Sequence, residues 1–222
     1  MTQRKFGLTA AQLRILALGL MLLDHLWATV VPGNNWMTYL GRMAFPIFAF
    51  QTAEGYRHTH DFRGYCKRLL LFGLVSEIPF DLMISGALFF RFHQNVMFTL
   101  LLGLLVCRAY DLRKWGLLAL LCLAGIPTFP DYGILGIATV LMFHVFRDYQ
   151  WCQLLMLIAI NWFGYEGQEL VVGTMKVSVQ AFAILAYLPI ALYNGEKGKG
   201  GRLLQYGSYV FYPLHMLILG LL

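Results

Sequence analysis

The chain has 222 residues, of which 59% are hydrophobic and only 13% are charged. Soluble domains carry about a quarter charged residues, so this composition excludes a soluble globular protein. The net charge of +6 does not indicate nucleic-acid binding, because the basic residues lie between apolar stretches, where they normally fix membrane orientation.

Apolar stretches recur from residue 8 to residue 222 with short interruptions. A helix that crosses a bilayer needs about 20 mainly apolar residues, and fewer where neighbouring helices shelter it. The pattern predicts an all-α, polytopic integral membrane protein, a single domain over 1–222 with about nine transmembrane helices. The predicted helices are Ala10–Val31, Met37–Gly55, Arg68–Ile84, Val96–Ala109, Trp115–Ile126, Tyr132–Phe146, Trp151–Phe163, Met175–Tyr193 and Leu203–Leu222.

The distribution of lysine and arginine predicts the orientation of these helices. Most lysine and arginine residues lie in the N-terminal segment and in the loops after even-numbered helices. The other loops and the adjoining helix ends hold only Arg42, Arg91 and Lys176. Positively charged loops stay in the cytoplasm. We therefore expect a cytoplasmic N-terminus and an external C-terminus.

Ionisable residues occur inside the predicted spans. A charge at the bilayer centre costs about 2.5 to 3.5 kcal/mol even on the insertion scale, so an intramembrane acid marks a candidate functional site. Asp24 and His25 lie about 14 residues into the first helix, roughly 20 Å from its cytoplasmic end at 1.5 Å per residue. Arg42 lies in the same outer part of the second helix, and Glu54 approaches the cytoplasm.

The third and fourth helices add polar residues at comparable depth. Glu77 and Asp81 are four residues apart and share one helix face, while Gln94, Asn95 and Thr99 open the fourth helix on the outer side. The sequence thus predicts one buried polar site built from Asp24, His25, Arg42, Asp81 and Asn95. His215, inside the last helix, is expected to face the same cavity.

This polar set has two interpretations. In the first, the groups hold helices together, with Asp24 or Asp81 neutralising Arg42. In the second, they form a reactive site, because packing does not require so many ionisable groups and the imidazole of His25 titrates near neutrality. His144 and Asn161 are expected to be satisfied at helix interfaces.

A basic segment follows the second predicted helix. Its positive charge can be explained by membrane orientation alone. It also suits phosphate recognition, because guanidinium and ammonium groups match phosphate oxygens. His58 and His60 have no evident further ligands, so no metal site is expected. The candidate phosphate-binding residues are Arg57, His58, Arg63, Lys67 and Arg68.

Several motifs together carry a family resemblance. They are Asp24-His25, Gly41-Arg-Met-Ala-Phe-Pro46, Glu54-Gly-Tyr-Arg-His-Thr59, Tyr65-Cys-Lys-Arg68, Ser76-Glu-Ile-Pro-Phe-Asp81, Gln94-Asn-Val-Met-Phe-Thr99 and Tyr212-Pro-Leu-His215. In these motifs the chain resembles the TraX family of conjugal-transfer membrane proteins, whose founding activity is N-terminal acetylation of F-type pilin. That family is in turn similar to the multipass acyltransferase-three enzymes, which use an intramembrane histidine and acyl-CoA.

The resemblance implies an acyl-CoA-dependent N-acetyltransferase in the inner membrane of a bacterium. Acetyl-CoA would be the co-substrate, with its phosphates on the basic segment, and a pilin or peptide N-terminus the acceptor. His25 would be the general base, and Arg42 or Asn95 would stabilise the oxyanion. Asp24, Glu77 or Asp81 would orient the imidazole or accept the ammonium group. Transfer would be direct or pass through an acetyl-histidine. The substrate-binding candidates are Glu54, Gln94, Thr99 and His215.

Two other functions stay open at the level of sequence. Buried acids and histidines also form proton relays, so a proton-coupled transporter is the main alternative. A structural partner in a secretion or conjugation assembly is the other. The three functions differ in whether the protein needs CoA, a pH gradient or neither.

Overall fold

The computed structural model describes residues 7–90, 92–126, 131–165, 168–172 and 175–222. Arg91, expected in a loop, lies outside these ranges. The described chain divides into two compact units, residues 7–48 with Phe146–Ser208 and Ala49–Val145 with Tyr209–Leu222. The prediction of a single domain stays a prediction.

The first unit is built around α1 (Ala10–Thr29). Its Thr9 N-cap and Gln12 form a capping box that satisfies the first backbone N–H groups. The side chains of Leu13 and Ala17 are fully buried. The remaining elements of this unit are α2 (Trp36–Gly41), α8 (Gln150–Ile158), a π-helical turn (Ala159–Phe163), a β-hairpin, a 3-10 helix (Val179–Ala186) and α9 (Tyr187–Ala191).

The second unit is centred on α5 (Val96–Asp111). Its N-cap Asn95 accepts the N–H of Met97, and Leu104 is fully buried. A Cβ at Gly103 would lie 2.7 Å from the Cβ of Val140, so α5 approaches α7 closely. The other helices that end in this unit are α3 (Ala44–His58), α4 (Phe62–Ser85), α6 (Trp115–Ala124), α7 (Gly133–Val145) and α10 (Gly201–Leu221).

The all-α class is confirmed, with local exceptions. The second predicted helix is broken at Arg42 and Met43 into α2 and α3. The third begins at Phe62 rather than Arg68, because the side chain of Asp61 caps it by accepting the N–H of Gly64.

The prediction of the eighth helix is wrong for its first four residues. Met175–Ser178 is strand β2, which pairs antiparallel with β1 (Glu169–Val172). The Lys176 Nζ lies 3.1 Å from the Glu169 Oε2 across this hairpin. The helical prediction holds only from Val179, where the backbone becomes a 3-10 helix and then α9.

Length and apolar composition single out α1 as a helix able to cross a membrane, within the part of the chain that the structure describes. Shorter apolar helices cover Trp115–Ala124, Gly133–Val145, Gln150–Phe163 and Val179–Ala191. The helix α4 is longer, at 24 residues, but it carries several charged side chains.

Candidate functional site

An ion pair joins α1 to the end of α2 in the first unit. The Asp24 Oδ1 accepts a hydrogen bond from the Thr38 hydroxyl at 2.7 Å, and its Oδ2 pairs with the Arg42 guanidinium. The two charged side chains are 14% and 27% exposed. Asp24 is one of the two partners that the sequence suggested for Arg42. We call Asp24, Thr38 and Arg42 the Asp24 network.

The absence of a side chain at Gly41 makes this network possible. A Cβ at this position would lie 2.4 Å from the Asp24 Cβ and 2.9 Å from its Cα. Such distances are not tolerated, so only glycine lets the two backbones approach this closely. The Gly41-Arg42 dipeptide thus brings its helix end against α1 and supplies the cation for Asp24.

His25 follows Asp24 on α1 and is half-buried. Its backbone carbonyl accepts a hydrogen bond from the Thr29 hydroxyl at 2.7 Å. Neighbouring residues on an α-helix are about 100° apart around the axis. His25 therefore lies next to the Asp24 network on a different part of the helix surface.

In the second unit, Asn95 links α5 to α4. Its side-chain amide donates to the Gly73 carbonyl at 2.8 Å and to the Glu77 carboxylate, and its backbone N–H reaches the same Glu77 Oε1 at 3.0 Å. Its own Oδ1 caps α5 through Met97. Both amide hydrogens of Asn95 are therefore occupied.

A second group of polar side chains surrounds the loop between α4 and α5. Asp81 is 1% exposed, and its Oδ2 accepts the Phe90 N–H at 2.8 Å. The His93 Nε2 lies 3.3 Å from the Asp131 Oδ1, and the His93 ring packs edge to face on Phe80. Electrostatic interactions link His93 to Glu77 and Asp81 as well. We call Glu77, Asp81, Asp131 and His93 the carboxylate cluster.

Two predicted substrate-binding residues help to position Asp131. The Thr99 hydroxyl donates to the Asp131 carbonyl, and the Gln94 carbonyl accepts the Asp131 N–H at 2.7 Å. No motif in the sequence indicates a role for Asp131. Since Asp131 is 38 residues from His93 along the chain, no motif spacing could have indicated their pairing.

The basic segment at the start of α4 is partly neutralised. Glu54 lies 3.6 Å from the Arg57 guanidinium and 3.4 Å from the His58 ring, and Arg68 lies 3.9 Å from Asp61. Glu54 is thus a partner of the basic residues on its own helix. The side chains of Arg63 and Lys67 are exposed.

A further cluster, which the sequence analysis did not assign to a site, joins α3, α5 and α7. Asp111 accepts a hydrogen bond from the Tyr56 hydroxyl and lies against the His144 Nε2, each at 2.8 Å. The Arg108 guanidinium lies over the ring of Phe62, 5.5 Å from its centroid. The expected place of His144 at a helix interface is confirmed.

His215 is buried in α10, where its Nδ1 donates to the Phe211 carbonyl at 2.8 Å. Its ring also stacks on that of Phe211, with 4.8 Å between the centroids. Asn161, in the first unit, donates to the Leu157 carbonyl and accepts from Gln180, as expected for an interface residue. Neither contact identifies a ligand.

The predicted site residues are divided between the two units, and the prediction of one buried polar site stays a prediction. Asp24, His25 and Arg42 belong to the first unit, whereas Glu77, Asp81 and Asn95 belong to the second. No group of three or more histidine, cysteine or acidic side chains is placed to hold a metal ion in the described ranges.

The fold and these groups define an all-α protein in which paired ionisable residues lie on apolar helices. Residues 9–222 match the family model described as TraX protein, so the chain belongs to the TraX family. It is also 29% identical over 244 residues to a probable fimbrial assembly protein, FimC of serogroup H1, from Dichelobacter nodosus. That match covers 97% of this chain and 96% of the relative. No solved structure matches the chain.

Proposed function

We propose that this TraX-family protein is a membrane-embedded N-acetyltransferase that moves an acetyl group from cytoplasmic acetyl-CoA to the N-terminus of a pilin or similar peptide. The observation that carries the proposal is the Asp24 network next to His25, in a chain that matches the family over 9–222. The Dichelobacter relative is named a probable fimbrial assembly protein, which supports a pilin as the acceptor.

The surface of α4 supports a location in the bacterial inner membrane with several spans. Leu71, Leu74 and Ile78 are exposed along one face, whereas Gly73 and Ser76 are buried on the opposite face. At 1.5 Å per residue, its 24 residues extend about 36 Å, enough for a hydrocarbon core of about 30 Å. An exposed apolar face suits a helix that is surrounded by lipid, whose chains are equally apolar. On the positive-inside argument, the chain has about nine spans and a cytoplasmic N-terminus.

The chemistry follows from the first unit. His25 removes a proton from the ammonium group of the acceptor, and the neutral amine attacks the thioester carbonyl. The tetrahedral intermediate then breaks its C–S bond, the CoA thiolate leaves as a thiol with the second proton of the amine nitrogen, and the proton on His25 passes to solvent. Arg42 stabilises the negative charge that develops on the carbonyl oxygen, an effect typically worth about 3 to 4 kcal/mol. Asp24 and Thr38 hold Arg42 and its helix end in place, so the cation needs no rearrangement during the reaction.

A transfer assay tests this function. Purified protein in lipid nanodiscs is incubated with labelled acetyl-CoA and a panel of peptides, each with either a free or a blocked N-terminus. We expect label only on the free peptides, together with release of one CoA thiol per acetyl group. In sealed proteoliposomes, uptake driven by a pH gradient without any need for CoA would instead indicate a transporter.

The basic segment provides a second prediction. Replacing Lys67 and Arg68 together by glutamine should raise the KM for acetyl-CoA about 10-fold or more, with a smaller effect on kcat, because charge-assisted bonds to phosphate hold the ground state and the transition state alike. Steady-state kinetics with varied acetyl-CoA measure this.

The matched control is the double replacement of Lys197 and Lys199 by glutamine, since both lysines are exposed and lie in the segment between α9 and α10. It should leave the KM unchanged. A loss of kcat at constant KM in the Lys67 and Arg68 variant would remove the basic segment from CoA binding.

A further inference from the structure

The carboxylate cluster contains more acid than base. Glu77 and Asp81 from α4, with Asp131 from the start of α7, provide three carboxyl groups, and the groups that interact electrostatically with His93 are these three. Tyr212 of α10 adds a phenol that interacts with Asp131 and Glu77. A single imidazole can balance only one carboxylate, so charge balance among the described residues favours a second cation at the cluster.

One oxygen of Asp81 is available for that cation. The Asp81 Oδ2 accepts the Phe90 N–H, but the buried Oδ1 accepts no hydrogen bond from the residues that the structure describes. A buried carboxylate oxygen without a donor is costly. A protonated amine brings several N–H donors and a positive charge, and so supplies the hydrogen bond that this oxygen lacks among the described residues.

We propose that the carboxylate cluster binds the protonated primary amine of the acceptor, with the Asp81 Oδ1 as its main partner and His93 as a competing cation. This inference rests on the proposed function only in taking the acceptor to be an amine. Glu77 and Asp131 add attraction at longer range.

The presence of His93 gives this binding a defined pH dependence. The hydrogen bond with Asp131 raises the pKa of His93 above its ordinary value near 6.5; burial opposes the shift, and the charges of Asp131, Glu77 and Asp81 add to it. Protonated His93 and the amine compete for the same carboxylates, so each weakens the other's binding. Amine binding therefore strengthens as the pH rises through the pKa of His93, and weakens again when the amine itself loses its proton near pH 8.

Peptide binding in the absence of acetyl-CoA tests the proposal. The probe is a short synthetic peptide with a free N-terminus, compared with its N-acetylated form, titrated onto the full protein in nanodiscs between pH 5.5 and 9. We expect tighter binding of the free peptide with a maximum between the two pKa values. Asp81→Asn should weaken it about 10-fold to 100-fold, while the asparagine carbonyl can still accept the Phe90 N–H.

Two further variants complete the design. His93→Gln should remove the loss of binding at acidic pH, because its neutral amide no longer titrates. Asp148→Asn removes an exposed carboxylate that pairs with the neighbouring Arg147 and should leave binding unchanged. Equal binding of the two peptides, or wild-type affinity in a folded Asp81→Asn protein, would overturn the proposal. If His93→Gln still loses peptide binding at acidic pH, His93 is not the competing cation.

The outcomes of the two proposals are separable. Amine binding needs no acetyl-CoA, so a protein that binds the free peptide as described but transfers no acetyl group contradicts the proposed function alone. Conversely, the Asp81→Asn protein is tested for acetyl transfer at a peptide concentration below KM. A rate equal to that of the wild type contradicts only the proposal that the carboxylate cluster binds the amine.

Discussion

His25→Ala is expected to lower the rate of acetyl transfer by about 10²-fold to 10⁴-fold, the usual contribution of a positioned general base. The loss should appear in kcat, because His25 acts on the proton that leaves the amine and not on the CoA phosphates. Higher pH should restore part of the rate, since a larger fraction of the acceptor amine is then already neutral. The measurement is acetyl transfer to a free peptide between pH 6 and 9.

His60→Ala is the matched control, because His60 is an exposed histidine outside the Asp24 network. It should retain wild-type turnover. Full activity of a folded His25→Ala protein would exclude His25 from the chemistry. A rapid-quench experiment with labelled acetyl-CoA and no acceptor then distinguishes direct transfer from an acetyl-histidine, which would leave label on the wild-type protein and none on the alanine variant.

Gly41→Ala is expected to disrupt the Asp24 network. The new Cβ would lie 2.4 Å from the Asp24 Cβ and 2.8 Å from its Oδ1, so α1 and α2 must separate. Overpacking alone costs about 1 to 3 kcal/mol, and separation also breaks the bonds of Asp24 to Thr38 and Arg42. We expect a lower thermal midpoint in detergent and loss of most acetyl transfer.

Gly19→Ala provides the comparison on the same helix. A Cβ at Gly19 of α1 meets no atom within 4 Å, so alanine should be neutral or stabilise by about 0.5 to 1 kcal/mol through its higher helix propensity. If Gly41→Ala behaves like Gly19→Ala in both measurements, the close approach of α2 to Asp24 is not required for stability or activity.

The sequence predicted helices well where a continuous apolar run was bounded by polar residues or proline. Val96–Ala109 became α5 because Asn95 begins it, and Trp115–Ile126 became α6 with almost the same bounds. The break after Gly41 was not predictable from hydropathy, since the residues on both sides are apolar. It coincides with the point where the Arg42 side chain pairs with Asp24, a contact between residues 18 apart.

The hairpin was missed for a different reason. Its strands have four residues each, and Met175–Ser178 is too short for alternation to be distinguished from the first turn of an apolar helix. Strand β2 is defined by its pairing with β1, which no local pattern in the sequence reveals.

The candidate site was predictable in part. Depth along predicted helices brought Asp24 and Arg42 to the same level, and the structure pairs them. By contrast, the contacts of His93 with Asp131 and of Asp111 with His144 join residues 38 and 33 apart. Such pairs depend on how helices pack around one another, and a single sequence carries no direct record of that packing.

The interruption between α2 and α3 also affects how the chain can move. A helix end leaves its last carbonyls without intrahelical donors, and backbone torsions at such a point can change without unwinding a long helix. Arg42 is located at this joint, immediately after the last residue of α2. The pairing of its guanidinium with Asp24 therefore immobilises a point at which the main chain could otherwise rotate while α3 keeps its hydrogen bonds.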